Sequence, residues 1–96
     1  MPEFLLLMHG DAAAPEAAWG PYLGALGAAG VLRGGSAIGE GACLRKGEPL
    51  PGVTRHLSGY IKIEARDLEH AKELVEGNPI YEAGGTVEIR HLPRTS

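Results

Sequence analysis

The sequence predicts a single α+β domain of the ferredoxin-like type, with the element order βαββαβ and both helices on one face of an antiparallel sheet. Two segments, residues 60–65 and 86–92, alternate apolar and polar side chains as half-buried strands do. Between them, residues 67–77 combine a helix cap, an apolar stripe at helical spacing and a glycine stop. A chain of 96 residues has room for one core, so residues 1–96 are treated as one domain.

The first strand is predicted at residues 4–8, a short apolar run without alternation that is typical of a strand buried on both faces. Pro15 then marks the start of the first helix, because proline suits the first helical position. Pro21 is unfavourable inside a helix, so either the helix bends before it or its regular part begins near Trp19. Gly30 is expected to end this helix in a left-handed conformation.

The second strand is predicted over residues 31–38. Gly34 and Gly35 interrupt it, and we expect a bulge or a close backbone contact there. Residues 39–58 are expected to be irregular, apart from a short edge strand at residues 42–45, because prolines and glycines are frequent in this stretch.

The second half of the chain supplies a strand, a helix and a strand. Residues 60–65 place Ile61, Ile63 and Ala65 on one face. Asp67 caps the second helix, which Gly77 ends. The last strand covers residues 86–92. Right-handed crossovers then place both helices on the same side of the sheet.

Two helices cover only one face of this sheet, yet the first strand is apolar on both. One of its two apolar sets must therefore be covered by something that the chain does not supply: either Leu5 and Leu7, or Phe4, Leu6 and Met8. A second copy is the expected cover, because closed two-fold dimers are the commonest oligomers. The alternative is a monomer in which charged neighbours on the other strands screen the first strand from solvent.

Composition argues against several classes of protein. The net charge is −3 with acids and bases mixed along the chain, so there is no basic stripe for nucleic acid. The longest apolar run is too short to cross a bilayer, and Glu3 before it is unlike a secretory signal, so we expect no membrane contact and a cytoplasmic location. Cys43 is the only cysteine, and the four histidines lack metal-ligand spacing, so no metal or other cofactor is expected.

His9 and Asp11 are the candidate catalytic residues. They follow the first strand two residues apart, and in an extended chain such side chains leave the same face. Asp11 would orient the imidazole and make His9 a general base. The structural alternative is that Asp11 caps or braces a turn and His9 is a solvated loop residue.

Trp19, Tyr22 and His56 are the candidate ligand-binding residues. Trp19 and Tyr22 lie near the start of the first helix, where they either wall a pocket above His9 or belong to the core. The first and third strands are expected to run parallel, which would place His56 at the opposite end of the sheet from His9. They would then share a site only if the long loop before the third strand folds back, or if two subunits pair and bring these histidines together.

Several motifs together resemble the YCII-related (DGPF) domain family over nearly the whole chain. They are MHGD at 8–11, PE at 15–16 with Trp19, LGAAGVL at 26–32, GYIKIEA at 59–65, DLE at 67–69 with Ala71, and GGTVEIR at 84–90. The resemblance implies a ferredoxin-like subunit paired in a dimeric α/β barrel, with a cleft between sheet and helices for a small organic molecule.

The sequence also departs from the family pattern. The Asp-Gly-Pro-Phe signature is missing, with residues 50–53 (LPGV) in its place, and Trp19 stands where some members have a histidine. Asn78 replaces the acid of the family's Asp-Pro-aromatic turn. The histidine and acidic partner that the resemblance implies for some members therefore do not carry over to this chain.

The leading hypothesis is a homodimer that binds a small organic molecule near His9, Asp11 and Trp19, with enzymatic activity left open. The alternative is a non-catalytic module that serves dimerisation or partner binding.

Overall fold

The computed structural model describes residues 1–94, which form a four-stranded sheet covered by three helices. The elements in chain order are β1 (Glu3–His9), α1 (Trp19–Ala28), β2 (Leu32–Ala37), β3 (Leu57–Glu64), α2 (Leu68–Glu73), α3 (Pro79–Glu82) and β4 (Val87–Leu92). The strand order is β2-β3-β1-β4, and every neighbouring pair is antiparallel. The predicted ferredoxin-like α+β fold is confirmed.

Strand β1 lies in the middle of the sheet and its two faces differ in burial. Phe4, Leu6 and Met8 point towards the helices and are almost completely buried, and Leu6 has no exposed surface. Leu5 and Leu7 point to the other face and are only partly buried. The structure therefore decides which apolar set the helices leave uncovered: Leu5 and Leu7 lie on the open face of the sheet.

The first helix accommodates Pro21 in its first turn. A 3-10 turn at Glu16–Ala18 precedes α1, which starts at Trp19 and so has Pro21 in its first turn. Backbone N–H groups in the first turn have no acceptor inside the helix, so a proline there removes no hydrogen bond. Gly30 then ends the helix with φ 74°, as predicted.

Strand β2 carries few large side chains because Gly34 and Gly35 lie within it. Its register with β3 shifts between Leu32 and Gly34. A Cβ on Gly35 would lie 2.8 Å from the backbone oxygen of Tyr60, so only glycine allows the two strands to approach this closely. The predicted bulge and the close backbone contact are both present.

The edge strand predicted at residues 42–45 is wrong. These residues form neither a strand nor a helix, and the side chain of Leu44 is 95% exposed. The nearby prolines and glycines that predicted an irregular segment extend their effect to these residues as well.

Both helices of the second half begin at side-chain caps. Asp67 accepts a hydrogen bond from the backbone N–H of His70, as predicted. Helix α2 ends at Glu73, earlier than predicted, and turn residues follow it as far as Gly77, which has φ 86°. Helix α3 was not predicted. Asn78 caps it and Pro79 is its first residue, which together form a helix start signal. The family resemblance implies only a turn at these two residues. None of the helices in residues 1–94 has the length and apolar character needed to cross a membrane.

Candidate functional site

A cleft of about 510 Å³ lies between α1 and the helix-facing side of the sheet. Its wall on the helical side is formed by Trp19 and Leu23 of α1 and by Ile80 of α3. Its floor is formed by β2 and β3, with Leu32 and Ile61 contributing apolar side chains. The cleft is therefore an apolar space above one end of the sheet.

The glycines of the sheet explain why this space is open. Gly34 and Gly35 of β2 and Gly59 of β3 line the cleft and contribute no side chain to fill it. A Cβ on Gly59 would lie 3.2 Å from the oxygen of Ser36 and 3.4 Å from the terminal methyl of Met8. Few side chains therefore stand on the floor of the cleft where these glycines meet.

The polar groups around the cleft are few. Glu16, in the 3-10 turn before α1, is the one charged residue among the described residues that line it. The hydroxyls of Ser36 and Ser58 donate to the backbone oxygens of Ala37 and Met8, at 2.8 and 3.3 Å. Each serine oxygen is therefore left as an acceptor.

Trp19 and Tyr22 have different environments. The Trp19 side chain is half-buried and faces the cleft, with its ring 6.4 Å from that of Tyr22 in an edge-on arrangement. The Tyr22 side chain is buried, and its hydroxyl donates to the backbone oxygen of Leu74 at 2.7 Å. Burial raises the pKa of Tyr22, and the side chain of Asn78 partly offsets this. Trp19 therefore walls a pocket, although His9 does not line it as predicted, and Tyr22 belongs to the core, which is the other predicted alternative.

His9 forms its main contact with an acid that the sequence did not single out. Its Nε2 lies 3.0 Å from Oε1 of Glu88 on β4. Glu88 pairs with Leu7 across the β1–β4 ladder, and directly paired residues share a face, so His9 lies on the open face and not in the cleft. Hydrogen bonds from His9 and then from Arg90 lower the pKa of Glu88.

Asp11 is engaged elsewhere. Its carboxylate accepts hydrogen bonds from the backbone N–H of Thr86 at 2.9 Å and from the Thr86 hydroxyl at 2.6 Å. These two bonds lower the pKa of Asp11 and tie the loop after β1 to the start of β4. The predicted His9–Asp11 pair does not form, because the chain turns after His9 and is not extended through Asp11.

The predicted separation of His56 from His9 is wrong. The two rings meet edge-on with their centroids 4.8 Å apart. The error came from the strand direction: β1 and β3 are antiparallel and not parallel, so the end of β1 at His9 lies opposite the start of β3 at Leu57. The two histidines meet within one subunit.

The candidate residues therefore divide between two places. Trp19 lines the cleft on the helix side of the sheet, while His9 and His56 lie with Glu88 at one end of the open face. Two signals in the sequence point to Glu88: it alternates outward on β4, and β4 neighbours β1 in a ferredoxin-like sheet. Within residues 1–94, no group of three or more His, Cys, Asp and Glu side chains is arranged to hold a metal ion.

A four-stranded antiparallel sheet with helices on one face, and an apolar cleft between them, define the class of the protein as a ferredoxin-like α+β domain. The family model of the YCII-related domain matches residues 4–94, and the chain belongs to that family. A comparison with curated proteins found no significant match to the sequence.

Proposed function

We propose that this YCII-related protein is a homodimer that binds a small organic molecule in the cleft between sheet and helices. The observation that carries the proposal is the apolar cleft of about 510 Å³ beside Trp19. Its size falls within the range of about 300 to 1,000 Å³ that is usual for small-molecule sites. An apolar space of this size, walled by a tryptophan and floored by glycines, favours an organic ligand over an inorganic ion.

The homodimer is supported by the open face of the sheet. Leu5 and Leu7 stand side by side in the central strand, only partly buried, on the side that no helix of the described chain covers. A second copy related by a two-fold axis would cover these leucines with its own. A cytoplasmic location is part of the proposal, since the single cysteine suits a reducing compartment.

The cleft is tested with the neutral fluorescent probe N-phenyl-1-naphthylamine, whose emission rises in apolar sites. We expect saturable binding to the unmodified chain. The variant Leu23→Trp enlarges a side chain that lines the cleft and should abolish this binding. The matched control is Leu68→Trp, because Leu68 is an exposed leucine of α2 outside the cleft. Equal binding by both variants would overturn the proposal.

A catalytic role for His9 is a second proposal, supported by its contact with Glu88. A carboxylate that accepts from Nε2–H leaves the lone pair of Nδ1 free to take a proton, as a general base requires. In this proposal Glu88 orients the ring. Asp11 acts at a distance, by holding the loop that follows β1 against Thr86.

Hydrolysis of p-nitrophenyl acetate, in which an imidazole can activate the attacking water, tests this role. His9→Ala should remove most of the rate above background, and Glu88→Gln should lower it. His70→Ala is the matched control, since His70 lies on α2 and its Nδ1 accepts from the backbone N–H of Arg66. A rate that is unchanged in His9→Ala would refute the catalytic role and leave the cleft proposal intact.

The alternative of a non-catalytic dimerisation or partner-binding module is favoured by a different observation. The segment between β2 and β3 exposes the apolar side chains of Ile38, Leu44 and Leu50. A self-associating chain that binds no probe in the cleft and shows no histidine-dependent activity would support this alternative.

A further inference from the structure

The charge of the cleft indicates which class of ligand it accepts. Glu16 is the single charged side chain along its described lining, and it forms no ion pair with any residue in 1–94. Glu16 both lines the cleft and is exposed, which is expected of a residue at the opening of the cleft to solvent. We propose that the cleft takes an organic cation, an ammonium group carried on an apolar body. This inference rests on the proposed ligand-binding function.

Trp19 supplies the second feature that a cation requires. Its indole lines the same cleft, three residues after Glu16 in the chain. A tryptophan face attracts an ammonium group through its negative π-cloud, more strongly than any other side-chain ring does. A carboxylate and an indole at one opening thus favour the same kind of charge.

The rest of the cleft fits the apolar body of such a ligand. Leu23, Leu32 and Ile61 surround the space behind Trp19 and offer only hydrocarbon contacts. An anion would have to lose its hydration there without a lysine, arginine or histidine in the described lining, and close to the charge of Glu16. A neutral ligand would gain the apolar contacts alone. The expected order of affinity is therefore cation, then neutral molecule, then anion.

Three probes with matched bodies test this order at neutral pH: 2-phenylethylamine, 2-phenylethanol and 3-phenylpropanoate. Trp19 is the only tryptophan, so its fluorescence reports binding at the cleft. We expect the amine to bind about tenfold more tightly than the alcohol, which corresponds to one carboxylate contact and one cation–π contact. The acid should bind more weakly than the alcohol. Added salt should weaken the binding of the amine and should not change the binding of the alcohol.

Glu16→Gln should weaken binding of the amine, leaving only the part of its advantage over the alcohol that comes from Trp19, and should leave binding of the alcohol unchanged. Glu73→Gln is the matched control, because Glu73 is an exposed acid on α2 outside the cleft. Equal binding of the three probes, or an amine that is insensitive to Glu16→Gln, would overturn the cation inference while the cleft proposal stands. Failure of all three probes together with N-phenyl-1-naphthylamine would overturn both.

Discussion

The Nε2 atom of His9 lies 3.0 Å from Oε1 of Glu88, which joins the end of the central strand to its neighbour β4 on the open face of the sheet. The other carboxylate oxygen of Glu88 accepts a hydrogen bond from Arg90 at 3.1 Å. One acid thus receives hydrogen bonds from two basic side chains. The cluster of His9, His56 and Glu88 lies on the open face of the sheet, and the apolar cleft lies on the opposite, helix-covered face.

Removal of His9 should raise the pKa of Glu88 towards its ordinary value of 4.5. The hydrogen bond from His9 is the largest cause of the lowered pKa, and the bond from Arg90 is the next, so Arg90→Ala should raise the pKa by less. Titration of the Glu88 carboxyl carbon by NMR measures both effects. A larger rise in Arg90→Ala than in His9→Ala would show that Arg90, not His9, is the main partner.

Asp11→Asn should destabilise the fold and flatten its response to acid. The pKa of Asp11 is lower in the folded chain than its ordinary value of 3.8, because the carboxylate accepts two hydrogen bonds from Thr86. The ionised acid therefore stabilises the fold above that value, and this stabilisation is lost as the pH falls through the folded pKa. Urea unfolding at neutral pH and near pH 3 measures the difference. An acid response as steep in the variant as in the unmodified chain would contradict this assignment.

Asn78→Ala should lower the free energy of unfolding by about 1 to 2 kcal/mol, the cost of losing a strong helix cap. Oδ1 of Asn78 accepts from the backbone N–H groups of Ile80 and Tyr81, at 2.9 and 3.1 Å, and the side chain has no exposed surface. Asp67→Ala is the comparison, since Asp67 is an exposed cap that accepts one bond. Asp67→Ala should lower the free energy of unfolding by less than Asn78→Ala does, as measured by urea unfolding. The reverse order would show that burial of the cap does not matter here.

Leu7→Lys should convert the proposed dimer into a monomer. Leu7 lies on the open face in the central strand, and a charged side chain there could not be buried between two sheets without a large cost. Leu44→Lys is the control, because Leu44 is 95% exposed in the irregular segment before β3. Light scattering measures the mass, and circular dichroism verifies that each variant is folded. A dimer that survives Leu7→Lys would place the interface elsewhere.

The strands and helix ends with strong local signals were predictable. Ile61 and Ile63 are buried on one face of β3, as their alternation indicates, because a strand exposes successive side chains to opposite sides whatever lies around it. Asp67 and Gly77 bound the second helical segment for equally local reasons. Helix α3 was missed because a single turn leaves no periodic pattern to detect.

The candidate site was predictable only in part. Trp19 walls a pocket, which is one of the two alternatives predicted for it. The cleft itself exists because Gly34, Gly35 and Gly59 come together from two strands. His56 was misplaced because an error in the direction of one strand moves a residue from one end of the sheet to the other. Such errors are large because contacts between strands depend on direction and register, which no single segment encodes.

The sequence by itself determined the order of the four strands and of helices α1 and α2, the cap of α2, the glycine stop of α1, and the apolar run of β1 that leaves one face of the sheet uncovered. These features depend on backbone geometry and on the spacing of a few neighbouring residues. Only the tertiary structure decided that His9 pairs with Glu88 and Asp11 with Thr86. Each of these pairs joins residues more than seventy positions apart, so its geometry depends on how the strands assemble and not on any local pattern.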